Sequence, residues 1–143
     1  MADPLQVSAE SIAAVNAHDA PRLRATYADD AVLEAPGPVR LVGGDAVTEY
    51  VMVWLRAFPD AQQTVTSELS AGNYVVQEIT FSGTHTGTLT SPEGDIPPTN
   101  RKLTGRYMGI QRIENDKIVE EHIYFDQMEI LGQLGVLPEP ATA

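Results

Sequence analysis

The chain contains no cysteine among its 143 residues, and this absence removes a whole group of possible sites. Disulfide frameworks, thiolate nucleophiles, zinc–thiolate centres and iron–sulfur clusters all require that residue. We therefore expect packing alone to stabilise the fold. The three histidines, His18, His85 and His122, are widely separated in the sequence, and their spacing does not indicate a metal site.

Basic residues are scarce, with nine lysines and arginines against twenty acidic residues, and the formal net charge is −11. A field of that sign repels phosphate backbones and anionic membrane surfaces, so we predict no nucleic-acid or membrane partner. No apolar run approaches the roughly 20 residues of a membrane span, and Met1–Val7 carries Asp3 where a leader would be basic. The default expectation is a cytoplasmic location.

Several motifs of known chemistry are also missing. The sequence has no GxGxxG, P-loop, HExxH, GxSxG or EF-hand spacing, so nucleotide, zinc-protease, serine-hydrolase and calcium-loop chemistry lack support. What remains is an ordinary globular composition, 43% hydrophobic and 20% charged, which is sufficient for a packed core. We expect a single domain over residues 1–143, with a flexible tail at 138–143.

Hydrophobic periodicity and capping residues predict four helices. The first has Ser8 or Ser11 available to cap it, and the last stops at Gly135, which suits a left-handed C-terminal cap. The predicted helices are Leu5–Ala17, Asp19–Tyr27, Ala46–Ala57 and Gln127–Leu134.

Runs with a period of two, separated by turn residues, predict strands. Since helices come first and antiparallel strands follow, the pattern indicates an α+β fold in which N-terminal helices pack on a curved antiparallel sheet and leave a cone. The predicted strands are Ala31–Ala35, a hairpin strand around Thr64–Thr66, Tyr74–Thr86, Arg101–Glu114 and Lys117–Asp126.

The last long strand offers the main candidates for chemistry. Strand alternation places Glu120, His122, Tyr124 and Asp126 on one face and Glu121 on the other. If the first face lines the cone, Asp126 lies in partly apolar surroundings, where desolvation raises a carboxyl pKa into the range useful for acid/base catalysis. His122 would then assist or tune it.

Each candidate also has a plain structural interpretation. Asp126 directly precedes a helix and is suited to cap it, and His122 is suited to bond a backbone carbonyl or to lie exposed on the outer face. His85, flanked by glycines, either faces the mouth of the pocket or bonds the following loop. Five aromatic residues either line a mostly apolar pocket or belong to the core: Tyr27, Tyr50, Trp54, Tyr107 and Tyr124.

Several segments, in this order and spacing, resemble the SnoaL-like polyketide cyclases of the NTF2-like superfamily. The similarity covers roughly Gly43 to Gly135, and it rests on the combination of segments, since no single one is specific. The segments are Phe58–Asp60, Gly83–Gly87, Pro97–Thr99, Ile113–Glu120, Tyr124–Asp126 and Leu131–Gly135.

The resemblance implies a cone-shaped α+β barrel, a homodimer, and no metal, nucleotide or flavin cofactor. It also implies that Asp126 is the catalytic base, that His85 is a pocket histidine, and that the substrate is a hydrophobic carbonyl compound closed into a ring by intramolecular aldol attack. His122 departs from the family, which often has Trp there, and Asn100 stands where Gly is common. The superfamily also contains isomerases, epoxide hydrolases, dehydratases and proteins without catalysis. The alternatives are therefore a non-catalytic small-molecule binding or dimerisation module, or an isomerase or epoxide hydrolase on the same fold.

Overall fold

The computed structural model describes residues 3–91 and 94–137, and the predicted tail at 138–143 lies outside them. That residues 1–143 form a single domain stays a prediction. Within the described residues, four helices and six strands follow one another: α1 (Pro4–Asn16), α2 (Ala20–Arg24), β1 (Tyr27–Ala35), β2 (Val39–Val42), α3 (Gly44–Ala57), β3 (Gln62–Ala71), β4 (Tyr74–Thr84), β5 (Lys102–Glu114), β6 (Lys117–Phe125) and α4 (Gln127–Leu134).

The helix ends follow the local chemistry of the sequence. Asp3, not Ser8 or Ser11, caps α1, and it forms a capping box with Gln6, which satisfies two free amides of the first turn. Both serines lie inside α1 and are buried. At the other end of the chain, Gly135 takes a left-handed φ of 72° after α4, as predicted.

The six strands form one sheet in the order β2-β1-β6-β5-β4-β3. Neighbouring strands are antiparallel except β1 and β6, which are parallel, so the sheet is mixed and not wholly antiparallel as predicted. Strand β2 is an element that the sequence reading missed: the turn at 36–38 does not end the sheet but returns the chain antiparallel to β1.

The predicted fold class is confirmed: an α+β fold with a curved sheet and packed helices. Register shifts interrupt the pairing of β1 with β6, of β3 with β4, and of β5 with β6, and such bulges bend strands and increase twist. The sheet is unclosed, so it is not a complete barrel.

The core joins the helices to the inner face of this sheet. Phe58, at the end of α3, is its largest fully buried side chain, and its ring contacts those of Trp54, Phe81 and His85. Among the described residues, no helix combines the length and hydropathy that a membrane crossing requires.

Candidate active site

An apolar cavity of about 110 Å³ lies between the helices and the inner face of the sheet. Helix α1 contributes Ile12 and Val15, helix α3 contributes Tyr50 and Trp54, and strands β3 to β6 form the opposite wall. A mostly apolar, concave site with few polar groups is typical of a site for small molecules.

Glu121 is the acidic side chain among the described residues that line this cavity. It lies on β6 and is only 8% exposed. Its Oε1 accepts a hydrogen bond from the Tyr27 hydroxyl at 3.0 Å, and its Oε2 accepts one from the Gln111 amide. Both partners are neutral, and no cation among the described residues forms an ion pair with this buried carboxylate.

Burial therefore dominates the ionisation of the carboxyl. It raises the pKa of Glu121, and the hydrogen bonds from Gln111 and Tyr27 offset only part of that shift. Burial also raises the pKa of Tyr27 and Tyr107, and the nearby charge of Glu121 adds to both shifts. The two phenols consequently stay protonated and act as hydrogen-bond donors.

A short polar relay extends from Glu121 to helix α1. The Ser8 hydroxyl donates to Oε1 of Gln111, 103 positions away in the sequence, and the Gln111 amide group donates to Glu121. Because an amide can present either end and a hydroxyl can donate or accept, this relay can satisfy Glu121 in both protonation states.

The position of Asp126 differs from the sequence expectation. Asp126 is exposed, does not line the cavity, and accepts hydrogen bonds from the Met128 and Glu129 amides at 3.0 and 3.3 Å as the cap of α4. Its location in an enclosed pocket was wrong, because the opposite face of β6 points inward. Its catalytic role stays a prediction.

A simple pattern in β6 could have identified the inner face. The face with Glu121 also carries Ile123 and Phe125, both in the cavity lining, whereas the other face carries Glu120, His122 and Tyr124. The more apolar face of a strand normally turns inward, so an acid within an apolar set was the signal for Glu121.

His122 lies on the outer face of the sheet. Its Nε2 is 2.5 Å from Glu120 Oε1, its Nδ1 is 3.3 Å from Glu34 Oε2, and Arg112 contacts Glu120 from the neighbouring strand. This is a surface ion network, which corrects the expectation that His122 faces the pocket.

His85 is fully buried, but it does not line the cavity. Its ring stacks on Phe58 with centroids 5.2 Å apart, and its Nδ1 accepts the Thr99 amide at 3.2 Å. Burial lowers the pKa of His85. A Cβ at the neighbouring Gly87 would lie 2.2 Å from the Arg56 carbonyl oxygen, so this segment packs backbone against backbone. His85 therefore stabilises the loop that follows it and does not lie at the mouth of the pocket.

The structure brings four of the five predicted aromatic residues into the cavity wall: Tyr27, Tyr50, Trp54 and Tyr107. Tyr124 is the exception, since it is 56% exposed on the outer face. Within residues 3–91 and 94–137, no group of three or more histidine, aspartate or glutamate side chains is arranged to hold a metal ion.

An open curved sheet, covered by helices around an apolar cavity with one buried acid, defines an NTF2-like α+β protein with a small-molecule pocket. The family model described as SnoaL-like polyketide cyclase matches residues 6–134. The chain therefore belongs to the SnoaL-like polyketide cyclase family.

Solved structures with the same fold are described with different functions. IdmH from Streptomyces antibioticus, a proposed polyketide cyclase, is 26% identical with a TM-score of 0.78, over 94% of this chain and 100% of that one. AclR from Streptomyces galilaeus, a proposed hydroxylase, is 24% identical with a TM-score of 0.79, over 95% and 87%. An LEH-like epoxide hydrolase of M. tuberculosis is 17% identical with a TM-score of 0.70, over 92% and 88%. None of the curated proteins matches the sequence.

Proposed function

We propose that this chain is a cofactor-independent acid/base enzyme that acts on a hydrophobic carbonyl compound, with Glu121 as the acid/base group. The observation that carries the proposal is a carboxyl buried in an apolar cavity, with no cationic partner in the part of the chain that the structure describes. A raised pKa brings a carboxyl closer to neutral pH, where a general base works best.

The surrounding groups suit proton removal next to a carbonyl. Glu121 would accept the proton from carbon, and the Tyr107 hydroxyl would donate a hydrogen bond to the enolate oxygen as charge develops there, since the Tyr27 hydroxyl already donates to Glu121. The enolate carbon can then attack a second carbonyl of the same molecule, which closes a ring by an aldol step, and the resulting alkoxide takes the proton from Glu121, which returns to the carboxylate. Gln63 Oε1 is buried in the cavity wall without a hydrogen-bond partner, and a hydroxyl group of the substrate would satisfy it.

Proton removal can be tested without knowing the natural substrate. The protein is incubated in D₂O with 2-tetralone and with a hydrophobic β-keto ester, and exchange at the carbons next to the carbonyl is followed by proton NMR. We expect exchange well above that in buffer with heat-unfolded protein. Exchange at the buffer rate for every probe would refute the acid/base proposal.

The position of Asp126 favours a second candidate, a non-catalytic module that binds a small molecule. The base implied by the family resemblance caps α4 outside the cavity, so the pocket is compatible with binding alone. Saturation by a probe ligand without any exchange in the same NMR samples would support this module over the enzyme.

We also propose that the chain forms a homodimer and is cytoplasmic. Met108 and Tyr124 are cross-strand neighbours on the outer face of the sheet and are 39% and 56% exposed, and adjoining exposed apolar side chains can form part of an interface between copies. Sedimentation velocity should show a dimer for the wild type and a monomer for Met108→Lys. A wild-type monomer at high concentration would refute the dimer, and cell fractionation tests the location.

A further inference from the structure

Two glycines on β5, Gly105 and Gly109, line the cavity on either side of Tyr107. Glycine inside a strand is unfavourable, because it loses more backbone entropy on folding and gives no side chain to pack. Neither glycine has a positive φ, so the backbone there accepts any residue. These positions need another explanation.

Close packing does not explain them either. A Cβ at Gly109 would meet only Ile123 Cγ2, at 3.8 Å, and a Cβ at Gly105 would meet only Leu103 Cδ1, at 4.0 Å. Both distances are ordinary contacts. The two missing side chains therefore leave empty space, and that space belongs to the cavity.

The space beside the two glycines opens into the cavity that aromatic residues of α3 also line. Tyr50 and Trp54 of α3 line the cavity together with Gly105 and Gly109, and four residues of strand separate the two glycines by about 13 Å. Tyr107 lies between the two glycines on the same inner face, so each glycine leaves a recess beside its ring, and the wall around these recesses is largely aromatic. A planar ring can stack on such aromatic side chains, which a branched aliphatic chain cannot do.

The charge of the wall restricts the ligand further. Two charged residues are among those that line the cavity, Glu121 and Arg106, and Arg106 is an exposed residue at an outward position of β5. A negatively charged ligand would meet the buried Glu121 carboxylate, which has no ion-pair partner among the described residues, and this disfavours such a ligand strongly.

We propose that Gly105 and Gly109 are specificity-determining residues, which open the cavity to a ring-bearing ligand without negative charge. This inference deepens the proposed function, since it names the class of substrate. Gly109 matters most, because Gln111, the hydrogen-bond partner of Glu121, lies two residues further on the same inner face of β5. A side chain at Gly109 would fill the space beside the acid.

Binding is measurable through Trp54, which is the single tryptophan of the chain and lines the cavity. The probes are cyclohexanone, 2-tetralone and 2-naphthoate, titrated against the full chain, with saturation-transfer NMR as a second readout. We expect 2-tetralone to bind the wild type at least about 10-fold more tightly than 2-naphthoate. Gly109→Leu should weaken the binding of 2-tetralone by about 10- to 200-fold, and Gly109→Ala should weaken it by an intermediate amount.

The matched control is Thr104→Val, a change on the outward, exposed side of the same strand, which should leave binding unchanged. Thermal melting of each variant establishes that it is folded, and Gly109→Ala serves if the leucine variant is not. The inference is overturned if the wild type binds none of the probes, or if the folded Gly109 variants bind 2-tetralone as the wild type does. If the variants block binding but the wild type exchanges no proton, the inference holds and the acid/base function fails.

Discussion

Replacing Glu121 by Gln is expected to reduce proton exchange of a bound ketone by about 10²- to 10⁴-fold, the usual contribution of a general base. The amide keeps the shape of the side chain and can still accept the Tyr27 hydroxyl, but it cannot take a proton from carbon. In the wild type the rate should rise with pH through a pKa above the ordinary 4.5, because only the carboxylate is a base. Proton NMR in D₂O across a pH series measures both effects.

The matched variant for this prediction is Asp126→Asn, which tests the role that the family resemblance implies. Asparagine is also a good helix cap, so this variant should keep both its fold and its exchange rate. If Asp126→Asn loses exchange and Glu121→Gln keeps it, the assignment to Glu121 is wrong and Asp126 is the base.

A stability measurement separates loss of the base from loss of the fold. A carboxyl whose pKa is raised by folding contributes stability below its ordinary pKa, and this contribution is lost as pH rises through the raised value. Glutamine does not ionise, so Glu121→Gln should be at least as stable as the wild type at neutral pH, with a difference that grows with pH. Urea unfolding at several pH values measures it.

The second large effect is expected at Phe58. Phe58→Ala should lower the free energy of unfolding by about 3–5 kcal/mol, because the ring is fully buried. It packs edge-on against Phe81 at 5.4 Å and stacks on His85 at 5.2 Å between centroids. The melting temperature should fall by roughly 10 °C for a chain of this size, measured by calorimetry or circular dichroism.

Leu69→Ala is a suitable control for Phe58→Ala, since Leu69 is 65% exposed. Truncation of a surface side chain usually changes stability by less than about 0.5 kcal/mol. A loss below about 1 kcal/mol for Phe58→Ala would contradict the view that the ring cluster at the end of α3 anchors the core.

The sequence predicted the regular elements well where local chemistry determines them. Helix α4 follows an aspartate cap and stops at Gly135, and both ends are visible in the sequence. The turn at Asn115 and Asp116 between β5 and β6 was also predicted, and both residues take the positive φ of such a turn. These features depend on residues that are adjacent in the chain.

The candidate site was harder to predict because it joins distant residues. Ser8, Gln111 and Glu121 come from α1, β5 and β6, and no local pattern connects them. The inner face of β6 was assigned to the wrong side, and the parallel pairing of β1 with β6 had no signal in the sequence. The aromatic wall was predicted better, since large aromatic residues on amphipathic elements tend to face the interior.

The position of β6 in the sheet has a consequence for how the protein is made. Strand β6 lies between β1 and β5, although it is the last strand in the chain. During synthesis, β1 cannot complete its pairing until residues 117–125 have left the ribosome, more than 80 residues later. Until then β1 has an unpaired edge, and an unpaired strand edge is prone to aggregation. We also expect the long-range pairing of β6 with β1 to limit the folding rate.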